Sequence, residues 1–265
     1  QPAFGRGGHV LIIGGGYIGL EAAAVAAARG LKVTLVEMAD RILQRVACAE
    51  TSNYFRSLHQ SHGVTILEGV GLERLTGEGH VTGAVLSNGK TLEIDFAIVG
   101  VGILPSTGLA EAAGLSLNNG IETNSKGQTS VPNIWAAGDC ASFPYQDGRI
   151  RLESVPNAID QAKVVAANMM GAGQDYTATP WFWSDQYSVK LQIAGLNTGF
   201  TDLVVRDSGT ARSHWYYKSG TLLAVDAMND PRAYMVAKRL IEAGKSADPT
   251  IAADPQSDLK ALLQG

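Results

Sequence analysis

Cysteine is scarce in this chain. Its 265 residues include two, Cys48 and Cys140, 92 positions apart, with no C-x-x-C and no other close pair. That spacing argues against a redox dithiol or a cysteine-built metal site and suits reduced thiols in a cytoplasmic protein. There is no basic excess either. With 21 Lys and Arg against 25 Asp and Glu, the net charge is −4, which gives no footprint for nucleic acid. His9, His59, His62, His80 and His214 are scattered without ligand spacing, so no metal site is expected. Ser154 and Ser184 have no G-x-S-x-G setting, and a hydrolase triad finds no support. The most apolar run, Val10 to Ala28, is interrupted by Gly14, Gly15, Gly16, Gly19 and Glu21, a strand-turn-helix pattern that reads as core and not as a membrane span. The opening QPAFGRGG has no apolar h-region, so no secretory signal is expected. Repeats and low-complexity tracts are absent. Hydrophobic residues at 45% and charged ones at 17% are ordinary for an α/β enzyme, and the length suits two domains, or one domain and a piece of another.

What is present is concentrated in residues 10–37. Val10–Ile13 reads as a buried strand, and Gly14, Gly16 and Gly19 supply a G-x-G-x-x-G turn. An alanine-rich helix runs to Arg29 and is ended by Gly30, and a second strand runs from Lys32 to Glu37. Each part answers a physical need: a tight turn, close approach of backbone to a pyrophosphate, and close helix–strand packing. The helix N-terminus offers unpaired N–H groups and the positive end of a dipole. Gly14, Gly15, Gly16, Tyr17, Ile18 and Gly19 are therefore candidate phosphate-contacting residues. Glu37, 18 positions past Gly19, is placed to accept hydrogen bonds from both adenosine ribose hydroxyls and to repel a 2′-phosphate, which selects NADH over NADPH. A salt bridge to Arg41 is the competing role for Glu37.

Further along, a helix is expected at Ala49–Gln60, and strands at Val64–Leu67, Leu72–Leu75, His80–Leu86, Thr91–Ile94 and Phe96–Val99. Asn88-Gly89 forms a hairpin turn within an antiparallel meander. Gly100, Val101 and Gly102 follow the last of these strands and complete a nucleotide-binding domain over residues 1–105. Residues 106–175 carry a short helix at Thr107–Ala113, a strand at Gln128–Val131 and a long helix at Asn157–Met170. One strand-loop-helix cannot cover both faces of a sheet, so this segment reads as the return half of a domain. Residues 176–265 carry strands near Lys190–Ala194, Thr201–Arg206, Ser213–Lys218 and Leu222–Ala227, then a helix at Pro231–Ala243. The fold class is α/β: a Rossmann-like NAD-binding domain with an antiparallel meander, a partial second domain, and an α+β C-terminal domain. The last segment has 9 Lys and Arg against 9 Asp and Glu, so no docking charge is marked.

The stretch Thr129-Ser130-Val131-Pro132-Asn133-Ile134-Trp135-Ala136-Ala137-Gly138-Asp139 suggests a strand ending in small residues, with an acid at its carboxyl end. Following the nucleotide unit, it resembles the second FAD motif of the two-dinucleotide-domain flavoprotein reductases. Arg151–Ala158 with Gln161, and Phe182-Trp183-Ser184-Asp185-Gln186-Tyr187, resemble the ferredoxin (putidaredoxin, rubredoxin) reductase branch over essentially the whole chain. The resemblance implies that the partial second domain is the C-terminal half of an FAD domain, in which Gly138 and Asp139 bind the flavin ribitol side. It also implies that Val155, Pro156, Asn157 and Ala158 open a helix aimed at the flavin pyrimidine end, that Trp183 lies near the isoalloxazine, and that Glu21 lies near the nicotinamide. It further implies NAD and FAD as cofactors, electron transfer from NADH to a [2Fe–2S] ferredoxin or rubredoxin of an oxygenase system, and a cytoplasmic monomer or homodimer.

The branch also begins with its own FAD-binding strand-glycine-helix unit, of which nothing is seen before Val10. Nine residues cannot hold a βαβ unit of about 30 or more. The expectation is a carboxyl-terminal portion that by itself holds FAD weakly or not at all. By residue type alone, Glu21 fits a solvated helix position, and Trp181 and Trp183 fit core or interface. The alternatives to a ferredoxin reductase are an apoptosis-inducing-factor-like or disulfide-type flavoprotein reductase, and a non-catalytic NAD-binding fragment.

Overall fold

The computed structural model describes residues 7–263. Its first part is built from β1 (His9–Ile13), α1 (Tyr17–Ala28), β2 (Lys32–Glu37), α2 (Ala49–Ser61), β3 (Thr65–Glu68), β4 (Leu72–Thr76), β5 (Gly83–Leu86), β6 (Thr91–Glu93) and β7 (Phe96–Val99). A parallel sheet of order β3-β2-β1-β7 carries the nucleotide unit. Because strand side chains alternate, Val10 and Ile12 face Leu20, Ala23 and Ala26 of α1 and Phe55 of α2, while Leu11 and Ile13 face Ala84, Leu86 and Ile94. The second layer is the antiparallel β4-β5-β6 sheet. Burial on both faces explains the unbroken apolar strands in the sequence. The expected strand from His80 begins only at Gly83, because the Thr82 N–H donates to the Thr76 carbonyl and closes a loop there.

The middle of the chain holds α3 (Gly108–Ala112), β8 (Ile121–Glu122), β9 (Ala141–Tyr145), β10 (Gly148–Ile150) and α4 (Val155–Met169). Two expectations change here. Residues 128–131 form no strand. Only an isolated antiparallel bridge joins Gln128 to Trp135. The Thr129 hydroxyl binds the carbonyls of Val131 and Ile134 and accepts the Val131 N–H, a local side-chain solution that competes with a ladder. Asp139 accordingly sits in a 3-10 turn, Gly138–Cys140, ahead of β9, and not at the carboxyl end of a strand. α4 also begins two residues earlier than expected, because Ser154 caps it and Pro156 suits its first turn.

The remainder is a five-stranded antiparallel sheet, β11-β12-β15-β14-β13, built from β11 (Trp181–Gln186), β12 (Val189–Gly195), β13 (Asp202–Asp207), β14 (Arg212–Lys218) and β15 (Thr221–Met228) and followed by α5 (Pro231–Glu242) and α6 (Pro249–Ala253). One face of it packs on α5: Trp215, Tyr217, Val225 and Ala227 meet Ala233, Val236, Ala237 and Leu240. The other face joins the nucleotide-unit core through Val189, Leu191, Ile193 and Met228. β11 and the short β9 and β10 were not anticipated as strands.

A buried polar clasp ties α2 to this second face. The Thr51 hydroxyl donates to Asp226 Oδ2 at 2.7 Å, and the Tyr216 hydroxyl donates to the same oxygen. The Cys48 N–H donates to the Tyr216 oxygen at 3.1 Å. With Thr51's proton committed to Asp226, His214 Nδ1, at 2.7 Å from the Thr51 oxygen, must donate. Ligand-type atoms of Cys48, His214 and Asp226 lie within 4.8 Å of one another, a convergence that sequence spacing did not indicate. The Thr51 hydroxyl joins His214 to Asp226, which makes the set a hydrogen-bonded junction.

Burial pushes the Asp226 carboxyl up to about 6 against the opposing pull of its two hydroxyl donors. Burial holds His214 down at about 4, helped by the Arg212 charge. A buried aspartate raised from 3.8 subtracts stability as pH rises from about 4 through 6. A histidine lowered from 6.5 acts with the opposite sign, subtracting stability as pH falls over that range. Asp226→Asn keeps an accepting oxygen and removes only the first effect. In urea melts the variant should gain on the parent by up to about 3 kcal/mol between pH 4 and 7; a pH-independent difference would refute the assignment.

Candidate functional site

The turn after β1 is shaped by close approach. Gly14 has φ +106, and a Cβ there would stand 2.3 Å from the Gly100 carbonyl oxygen. A Cβ on Gly19 would stand 2.0 Å from the Gly14 oxygen. No larger residue lets α1 begin this close to β1 and to Gly100 at the end of β7. Gly16 is the N-cap of the 12-residue α1, with no side-chain cap and open space where its Cβ would be. The first-turn N–H groups are thus left to a ligand, and the cradle fits a pyrophosphate. Ile18, Val101 and Gly102 are exposed around it, whereas Gly15 is buried. The Tyr17 side chain does not line this turn. Its ring turns inward, edge-on to Phe182 at 4.8 Å, and its hydroxyl is buried without a partner among the described residues, so burial raises its pKa well above the ordinary value. Only its backbone is offered to the phosphate side.

Glu37 ends β2 half-buried. Its Oε2 accepts the Gly15 N–H at 2.6 Å and its Oε1 the Ala39 N–H at 2.8 Å. Each oxygen keeps a second acceptor site for a ribose hydroxyl. The competing ion pair to Arg41 does not form. The Arg41 guanidinium donates instead to the carbonyls of Gln44, Ala47 and Cys48 and to the Ser52 hydroxyl, so it is not turned to a 2′-phosphate.

Around α4, Asp139 is exposed, its backbone carbonyl accepts from Arg151 at 3.0 Å, and the Gly138 N–H donates to Gln161 at 2.8 Å. Val155 is exposed and Ala158 half-buried. Pro156 and Asn157 are buried, and the Asn157 side chain is engaged with the Leu152 carbonyl and the Tyr176 hydroxyl. Any role for Pro156 and Asn157 in holding a ligand therefore runs through backbone and helix placement. α4 also touches β11, whose alternation decides the rest. Phe182, Ser184 and Gln186 point to α1 and α2: Phe182 meets Tyr17, the Ser184 hydroxyl donates to Glu21 Oε1 at 2.6 Å, and Gln186 meets His59 at 2.8 Å. Trp183, on the opposite face, is 42% exposed and lies 5.8 Å from Trp181 between ring centroids. The structure thus brings Glu21 and β11 into direct contact, with α1 and α4 both touching that strand. Sequence reading places Ser184 within the Phe182–Tyr187 motif but gives it no role beyond a hydrolase candidate to dismiss. Period-two alternation through Phe182-Trp183-Ser184-Asp185-Gln186 was the available signal. A concavity of about 1020 Å³ lies elsewhere, lined by His9, Lys32, Thr82 and Glu93; it holds none of this chemistry.

A glycine-turned βαβ unit with a carboxylate at the end of its second strand defines an α/β dinucleotide-binding protein. Within that class the chain belongs to the pyridine nucleotide-disulphide oxidoreductases, whose family profile matches residues 2–162; a reductase C-terminal profile matches residues 181–263. The chain is 43% identical over 96% of its length to the ferredoxin–NAD(P)(+) reductase of Sphingomonas sp, covering 63% of that protein. It is 40% identical to putidaredoxin reductase of Pseudomonas putida, over 96% of this chain and 62% of the relative. It superposes with a TM-score of 0.94 on the crystal structure of a ferredoxin reductase from Rhodopseudomonas palustris, at 42% identity, covering 98% of this chain and 66% of that one. The chain therefore spans a little under two thirds of the length of these relatives. No helix among the described residues is long and apolar enough to cross a membrane.

Glu37→Ala should weaken NADH binding, narrow the NADH/NADPH affinity ratio, and lower the melting temperature, because two backbone N–H groups lose a charged acceptor at about 1.5–3 kcal/mol each. Fluorescence titration with both nucleotides, beside a thermal melt, checks this. Equal affinities in the unmutated chain would overturn the ribose assignment.

Proposed function

We propose that this protein is an NADH-dependent, FAD-containing ferredoxin reductase that delivers electrons to a [2Fe–2S] ferredoxin or a rubredoxin. The observation that carries the reading is β11, which holds Ser184 on Glu21 with its inner face and exposes Trp183 on the other, beside α4. Its neighbours in identity support it, since the relatives near 40% are named as ferredoxin or putidaredoxin reductases. A putidaredoxin reductase joined covalently to putidaredoxin has the same fold at TM-score 0.93 and 38% identity, over 97% of this chain and 63% of that one.

When bound, NADH supplies a hydride and FAD accepts it and releases the electrons singly. The chain's own residues bind and orient. Gly14–Gly19 with the start of α1 seat the NADH pyrophosphate, Glu37 holds the ribose, and Glu21 faces the nicotinamide. The 3-10 turn at Gly138-Asp139 and the start of α4 from Val155 to Ala158 serve the flavin, with Trp183 against its ring. Residues 1–105, 106–175 and 176–265 are the proposed NAD-binding, FAD-contributing and C-terminal interface domains of a cytoplasmic monomer or homodimer.

The disulfide-reductase alternative has less behind it. The Phe182–Tyr187 segment and the naming of the relatives near 40% identity carry more weight against it than the two free cysteines, Cys48 buried in the clasp and Cys140 beside Asp139, because the chain spans a little under two thirds of those relatives. The disulphide oxidoreductase from Desulfovibrio vulgaris shares 24% identity with this chain, which speaks to fold alone.

In the flavin-loaded protein, Trp183→Ala should lower kcat for ferredoxin reduction by about tenfold or more while leaving the KM for NADH nearly unchanged, the pattern of a group outside nucleotide binding. Ferredoxin docking should weaken with salt if charge guides the encounter. Rapid reduction of disulfides with no reduction of ferredoxins or rubredoxins would transfer the protein to the disulfide branch.

A further inference from the structure

Behind Glu21 runs a chain of buried hydrogen bonds that the proposed reaction does not use. Ser184 Oγ lies 2.6 Å from Glu21 Oε1, Gln186 Nε2 lies 3.1 Å from Ser184 Oγ, His59 Nε2 lies 2.8 Å from Gln186 Oε1, and the Tyr187 hydroxyl lies 3.1 Å from His59 Nδ1. Ser184, Gln186 and His59 have no measurable exposure. At its outer end Tyr187 stacks on the exposed His62, ring centroids 3.7 Å apart.

The direction of every bond follows from the inner end. A carboxylate has no hydrogen to give, so Ser184 must donate to Glu21. Its oxygen is then free only to accept, which turns the Gln186 amide nitrogen toward it and the Gln186 carbonyl toward His59. That carbonyl demands a proton on His59 Nε2. A neutral imidazole with Nε2–H presents a lone pair at Nδ1, which accepts from Tyr187. All four donors thus point toward Glu21, an alignment in which each bond polarises the next. Burial, which lowers the His59 pKa, favours the neutral ring this arrangement needs. An amide cannot pass a proton on without changing its bonding, so the chain orients and does not conduct.

We propose that Ser184, Gln186, His59 and Tyr187 are positioning residues for Glu21, a one-directional hydrogen-bond chain that engages one carboxylate oxygen and leaves the other to the nicotinamide. The proposal rests on the reading of Glu21 as the nicotinamide-side carboxylate. Its structural half is independent of that reading. Long-range proton–nitrogen NMR of the imidazoles in this chain should show His59 wholly in the Nε2–H form at neutral pH, a mixture of tautomers in Ser184→Ala, and the single form again in Ser184→Thr. His59 protonated at Nδ1 in the parent would overturn the chain outright.

The functional half is read by rapid-reaction flavin reduction in the FAD-loaded protein. Ser184→Ala should slow reduction by NADH about tenfold, the scale of a misplaced orienting group, with the NADH Kd little changed, and Ser184→Thr should recover most of it. In a Glu21→Gln background the same substitution should add nothing. An equal slowing in both backgrounds, or none in either, would refute positioning through Glu21. If Glu21→Gln alone reduces flavin at the parental rate, the nicotinamide role of Glu21 has failed, while the NMR result still judges the hydrogen-bond chain.

Discussion

The inward face of β11 is the constraint on which the rest of the arrangement depends. Alternation along a strand puts Phe182, Ser184 and Gln186 on one side, and α1 and α2 receive them at Tyr17, Glu21 and His59. Tyr17 and Glu21 are four residues apart on α1, so one helical face meets alternate positions of one strand. A one-residue slip of β11 would turn Trp183 into that interface and Ser184 out of it. Register is held from the other side by six paired positions with β12. The nucleotide unit and the C-terminal sheet therefore share a core, with Leu191, Ile193 and Met228 in the same cluster as Val10 and Leu35.

The polar clasp complements that apolar contact. Burying Asp226 and His214 carries a desolvation cost, offset at Asp226 by the Thr51 and Tyr216 hydroxyl donors and at His214 by the Thr51 oxygen that accepts from Nδ1, while His214 Nε2 has no partner among the described residues. Apolar packing alone tolerates sliding, whereas a network with each proton assigned fixes one relative placement of α2 and β14. The site gains from this, because Glu21 and the nucleotide turn lie on one side of the interface and Trp183 on the other.

Two kinds of carboxylate illustrate how environment sets role. Glu37 is tied by short bonds to the backbone of Gly15 and Ala39, so it helps build the glycine turn. Asp226, raised to about 6 by burial, is structural. Glu21 lies between these cases, half-buried and held by one hydroxyl.

The nucleotide unit was legible in the sequence because its parts are local: strand, glycine turn, helix and terminal acid lie within 28 residues, although the steric demand for glycine at position 14 comes from Gly100, far along the chain. Family membership was legible from short motifs for the same reason. The strand expected at residues 128–131 failed because the Thr129 side chain and Pro132 favour a local turn, and neither is visible to hydrophobic patterning. The helix start at Val155 was set by a serine cap. Only the tertiary structure decided the clasp, whose members Cys48 and His214 are 166 residues apart, and the chain from Tyr187 to Glu21, which joins residues up to 163 apart in a single bond. Such contacts depend on how two sheets and two helices pack, and packing is a property of the assembled core that no window of sequence contains.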